Sequence, residues 1–197
     1  MRVRDENKEE SIRARAIAMI VKEGLDGLSM QKLAKAAGVS PATIYIYYKN
    51  REDLVLKLCI QEFNSMAAAT LKGFDPRMPF AEGLKVQWKN RANYYLKNPD
   101  RIDFMEQMRH TRYHQKMFQF LDKSFFEAMG TFVHTAIKRK QLIKLPIEAY
   151  WSVAFAPLYQ LIKFHTNGVG LGGATKFVFT NRIMMQTLKV VIKALTP

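Results

Sequence analysis

The feature that most constrains this chain is the run Gly38-Val39-Ser40-Pro41-Ala42-Thr43-Ile44-Tyr45-Ile46-Tyr47-Tyr48, followed by Lys49-Asn50-Arg51-Glu52. Gly38 suits the left-handed backbone position that ends a helix. Ser40 is placed to cap the next helix, and Pro41 fits its first position, where a missing N–H costs nothing. That helix is only about two turns long, too short to persist alone in water. Its hydroxyl and three tyrosines make it too polar for pure core. Such a helix is built to be presented, and the pattern reads as the turn and second helix of a helix-turn-helix.

The preceding residues complete the unit. Ile12, Ala16, Met19 and Ile20 recur at i, i+4, i+7 and i+8, which predicts an amphipathic first helix stopped by Gly24, with Leu25 folded over its end. Ser29 caps a second short helix whose inward positions are Met30, Leu33, Ala34 and Ala37. The small alanines let the following helix cross closely. Asn50 caps a fourth helix with Asp53 at its third position, and Leu54, Leu58 and Phe63 lie along its apolar side.

With this pattern from Ser11 to Leu58, the chain resembles the DNA-binding domain of the TetR family of bacterial transcriptional regulators. The resemblance implies an all-α fold: a three-helix helix-turn-helix domain over 1–50, a connecting helix and linker over 51–79, and a helical effector-binding and dimerisation domain over 80–197. It implies that Ser40, Pro41, Ala42, Thr43 and Ile46 enter the major groove, with Ala42 and Thr43 against thymine methyl groups. Tyr45 and Tyr47 are expected to donate to phosphates, setting register rather than sequence. Lys49 is the most direct phosphate neutraliser, and Arg51 joins it near a helix N-terminus. Ser29 and Gln31 hold the opposite backbone. Arg2, Arg4 and Lys8 form either a minor-groove arm or a frayed basic tail. With no Arg, Asn or Gln on the recognition helix, specificity rests on methyl contacts and on two half-sites of double-stranded DNA read by a homodimer.

Composition narrows the classes. Of 197 residues, 48% are hydrophobic and 12% aromatic, which argues for a packed core. The acidic first ten residues lack a secretory pattern, and the apolar stretch 149–164 is broken by Ser152, Pro157 and Gln160, so a cytoplasmic protein without membrane spans is expected. Cys59 is alone, which excludes a disulfide framework. The net charge of +14 is unevenly placed: residues up to Lys57 carry only +3 of it. The remaining cations either raise general attraction to nucleic acid or face an anionic ligand.

Beyond a Gly/Pro-rich break at 72–79, helices are expected over Phe80 to Lys97, from an Asp100 cap to His114, over Gln115 to Lys140, from Pro146 to His165, and over Ala174 to Leu195. On the last, Phe177, Met184, Leu188, Val191 and Leu195 form one stripe, with Val178, Met185 and Ile192 beside it, broader than one neighbour covers. The final two helices are therefore assigned to the dimer interface. The family resemblance implies an effector cavity between the central helices, for which Trp88, Tyr95, Met105, Met108, Tyr113, Trp151, Phe155 and Tyr159 are candidates. Arg109, Arg112 and His110 would anchor it. The expected effector is a hydrophobic small molecule, such as an amphipathic acid or a planar aromatic.

Three further patterns carry less. Gly168-x-Gly170-x-x-Gly173 has dinucleotide-fingerprint spacing but follows an expected helix rather than a strand. Glu106, His110 and His114 are spaced for one helical face, where a polar stripe is far commoner than a metal site. No catalytic constellation is credible, so neither an enzyme nor a cofactor is expected. The rival reading is a ligand-independent DNA-binding scaffold that recruits a protein through its basic surface.

Overall fold

A computed structural model describes residues 5–173 and 176–197. Among these there are eleven helices and no strand: α1 Glu6–Gly27, α2 Met30–Ala36, α3 Pro41–Tyr47, α4 Arg51–Leu71, α5 Phe80–Lys97, α6 Pro99–Arg109, α7 Arg112–Met117, α8 Ser124–Lys138, α9 Ile147–Ala154, α10 Ala156–Thr166 and α11 Asn181–Leu195. Two compact units emerge. The first takes residues up to Ser65 together with 100–121, and the second takes 66–99 together with 122–197.

In the first unit, the Asp5 carboxylate opens α1 by accepting the N–H groups of Asn7 and Lys8. Gly24, at φ 73°, breaks the helical path near its end, where only glycine enters cheaply. Ile12, Ala16, Ile17 and Ile20 are buried along α1, and Leu33, Ala34, Ile44, Leu54 and Leu58 close the core from α2, α3 and α4. Beneath them lies the carboxylate of Glu62, which Arg13 and Arg101 approach from α1 and α6. Glu10 adds its own pairs to both arginines.

In the second unit, α5 packs against α8, α10 and α11, and α9 packs against α10 and α11. Leu84, Trp88, Phe132, Leu158, Ile162, Leu188 and Leu195 are fully or almost fully buried there. No described helix is long and apolar enough to cross a membrane.

Several expected boundaries move, each for a local reason. The helix expected from Pro146 to His165 is two helices. Pro157 has no N–H for the Val153 carbonyl, and the chain kinks at Phe155 (φ −128°, ψ −28°). The Ala154 carbonyl at that kink accepts the Trp88 indole N–H at 2.8 Å. Pro99, rather than Asp100, begins α6 as the preferred first helical residue, and Asp100 falls within the first turn. The helix expected from Gln115 to Lys140 divides into α7 and α8. The Phe120 N–H closes a turn on Met117, and Asp122 accepts the Ser124 N–H at 2.9 Å. The last helix starts only at Asn181, capped by the Thr180 hydroxyl. Phe177 and Val178 therefore precede it, while Ala174, its expected first residue, lies outside the described residues, as do Arg2 and Arg4.

Candidate nucleic-acid interface

The turn between α2 and α3 is closed by backbone bonds. The Gly38 N–H reaches the Lys35 carbonyl at 3.2 Å and the Val39 N–H reaches Ala34 at 3.0 Å, a Schellman motif with Gly38 at φ 66°. The Ser40 hydroxyl then accepts the Thr43 N–H at 3.2 Å and lies 2.9 Å from the Thr43 hydroxyl. Ser29 caps α2 in the same way through the Lys32 N–H. Both helices thus start from fixed points, and α3 needs no length of its own to be rigid.

What α3 does with its faces follows. Ile44 is fully buried and Tyr48 beyond it equally so, while Tyr45 and Ile46 remain 53% and 40% exposed. Pro41, Ala42, Ser40, Lys49 and Gln31 are exposed as well, and Thr43 and Ser29 are half-buried. A two-turn helix keeping a tyrosine and an isoleucine in water, beside an exposed lysine, is spending solubility on a surface.

Two residues expected on that surface face elsewhere. Tyr47 is buried, and its hydroxyl donates to the Asp5 carbonyl and accepts the Asp5 N–H, both at 3.2 Å. Arg51 directs Nε to the Leu28 carbonyl at 2.9 Å and Nη2 to the Leu25 carbonyl. It ties down the broken end of α1 rather than standing free. Asn50 and Asp53 behave as expected at the start of α4: Asn50 accepts the Asp53 N–H at 2.9 Å, and Asp53 accepts the Lys49 N–H at 2.8 Å. Burial works to raise the Asp53 carboxyl, but the Lys49 N–H and the Lys57 ammonium together outweigh it and hold the group below its ordinary pKa.

The ten effector candidates fall in both units. Met105, Met108, Arg109, Arg112 and Tyr113 belong to the first, where Met108 and Tyr113 are buried and both arginines are exposed. Arg112 is paired with Glu52. Trp88, Tyr95, Trp151, Phe155 and Tyr159 belong to the second and are brought together. Trp151 lies 4.7 Å from Phe155 between ring centroids, and Tyr95 meets Tyr159 edge-on at 5.6 Å. Sequence reasoning missed the residue at the centre of this cluster, Arg91. Its guanidinium is fully buried, 4.4 Å from the Phe155 centroid and 5.0 Å from that of Trp151. The signal was present: Arg91 falls on the same stripe of α5 as Leu84, Trp88 and Tyr95.

The other patterns resolve simply. Glu106, His110 and His114 do not share a helical face, because the chain turns at Thr111 between α6 and α7. No described group of three such side chains is arranged to hold a metal. Gly168, Gly170 and Gly173 follow α10, with no strand before them. Burial pushes the Cys59 thiol up to about 12, so it is not a thiolate nucleophile at neutral pH.

A capped, outward-facing α3 set across α2 by a Schellman turn, within an all-helical chain, defines a helix-turn-helix protein. The family model for bacterial regulatory proteins of the tetR family matches residues 12–58. Over that segment the chain is similar to the TetR family. A curated relative, an uncharacterized HTH-type transcriptional regulator of Haemophilus influenzae, is 37% identical over 89 residues, covering 45% of this chain and 48% of that one. The match therefore spans about half the length of that relative. Solved structures of a TetR family transcription regulator from Marinobacter aquaeolei VT8 (TM-score 0.85, 24% identity, 100% and 99% of the two chains) and one from Haemophilus influenzae Rd (TM-score 0.79, 23%, 98% and 98%) share the fold.

Proposed function

We propose that the chain is a DNA-binding transcriptional repressor that works as a homodimer on a two-half-site operator and is released by a small apolar effector. The observation that carries the reading is the outer face of α3, where Tyr45 and Ile46 remain in solvent with Pro41 and Ala42 while Ile44 anchors the helix inside. Ala42, Thr43 and Ile46 supply apolar contact to base edges. Tyr45, Lys49, Ser29 and Gln31 supply backbone contacts that fix register. Tyr47 and Arg51, committed to Asp5 and to the end of α1, hold the head in shape and are left out of the contact set. An effector would act by stabilising one arrangement of the head over another, to the extent of its differential affinity.

Selecting bound fragments from a random duplex pool tests this. The expected result is a palindromic site whose preference is lost with Thr43→Ala. Lys49→Ala should instead weaken all sequences alike and lower the salt slope by about one unit. A chain that enriches no sequence at low salt would end the proposal.

A further inference from the structure

We infer that Arg91 is the head of a carboxylate-binding site inside the second unit, and that the effector is a monoanionic apolar acid; the inference rests on the effector reading above. A guanidinium stays charged at any pH a protein survives. Removing it from water without an opposite charge is costly, and folded chains pair such groups or hydrate them. Arg91 is 0% exposed, and among the described residues it forms no ion pair.

Its bonds show which edge lacks a partner among the described residues. Nη1 donates to the Tyr159 hydroxyl at 2.5 Å and to the Met66 sulfur at 3.4 Å. Phe155, Trp151 and Phe125 stand 4.4, 5.0 and 5.9 Å away, close enough to favour the cation through their rings, and rings accept no N–H fork. Nε and Nη2 are both buried without a partner. These two nitrogens form one edge of the guanidinium, with parallel N–H bonds spaced to meet the two oxygens of a carboxylate. One turn earlier on α5, the Gln87 amide is also fully buried with neither oxygen nor nitrogen partnered, which offers a further donor on the same helix face. One cation matches one negative charge, so a dianionic phosphate would be left half compensated. The surrounding indole and phenyl rings favour an apolar tail. Trp151 and Tyr159 are half-buried, so the cluster reaches the surface of its unit.

The test uses the full chain without DNA. Decanoate, phenylacetate and benzoate are each compared with the corresponding primary amide by calorimetry and thermal shift, with inorganic phosphate as a further probe. At least one acid is expected to bind about ten- to a hundredfold more tightly than its amide, and phosphate to give no shift. Arg91→Met is expected to abolish the acid preference and to raise the melting temperature of the ligand-free chain, because an uncompensated charge has gone. Acids and amides binding alike, no binding by either, or a large fall in the ligand-free melting temperature of Arg91→Met would each overturn the inference. An Arg91→Met chain that fails to fold counts as such a fall, and the acid–amide comparison on the unsubstituted chain tests the site independently of that variant. A chain that selects DNA but shows no acid preference loses this site and keeps the regulatory reading; acid preference without DNA selection does the reverse.

Discussion

Arg51 and Lys49 stand two residues apart and do different work. Arg51 reaches the carbonyls of Leu25 and Leu28, which Gly24 has turned out of the helical ladder. Charge-assisted bonds of this kind contribute on the order of 2 kcal/mol, and their loss leaves the Leu28 carbonyl short of a donor. Arg51→Ala is therefore expected to destabilise the chain by about 2 kcal/mol in urea or thermal melts, whereas Lys49→Ala, at an exposed position, stays within about 0.5 kcal/mol. Equal melts for the two variants would remove the bracing role. Residue chemistry alone had placed both cations on phosphate, because spacing records neither where a glycine redirects the chain nor which carbonyls it frees. Tyr47 was misplaced in the same way: its partner is 42 positions earlier. Arg91 differs, since its position within the apolar stripe of α5 was visible in the residue order. Periodicity does not separate a buried cation from one that lays its stem on the core and keeps its head in water.

Elements were legible wherever a local signal fixes an end. The Ser29, Ser40, Asn50 and Gly38 signals all appear as expected, and the expected span of α5 agrees with the structure. The divisions between α6, α7 and α8 were not legible, since no proline or glycine marks them and side-chain turns at Thr111 and Asp122 decide them. Two glycines inside helices separate backbone preference from packing. At Gly83 a Cβ would lie 2.4 Å from the Phe132 ring, which is itself held against Phe74 and Phe80. At Gly130, in α8, a Cβ meets nothing within 4 Å. Alanine improves the helix at both positions by up to about 1 kcal/mol. At Gly130 nothing opposes that gain, so Gly130→Ala should raise the melting temperature. At Gly83 overpacking costs about 1–3 kcal/mol against it, and Gly83→Ala should lower the melting temperature. Two shifts of the same sign would mean that the α5–α8 contact yields more readily than its geometry implies.

At the scale of the molecule, the question is what the last helix does with its second apolar side. Met184, Leu188, Val191 and Leu195 are buried within the unit, which accounts for one stripe of α11. Half-buried Ile183 and 69%-exposed Val190 lie on one flank of that stripe, and Met185 and Ile192, both half-buried, lie on the opposite flank. A second copy of the chain is the occupant the homodimer proposal assigns to the flank of Ile183 and Val190. Val190→Glu places a charge there while leaving the inner stripe intact, so it should fold normally and sediment as a monomer at micromolar concentration. Linking two heads multiplies affinity through effective concentration, so the variant should bind a two-half-site duplex about a hundredfold or more weakly at physiological salt. The contrast should shrink as salt falls. Most of the +14 charge lies beyond Lys57, and a monomer keeps the sequence-independent part of the attraction. A Val190→Glu chain that remains dimeric would assign the interface to another surface, and a monomeric unsubstituted chain would remove the paired-head geometry from which the two half-sites were derived.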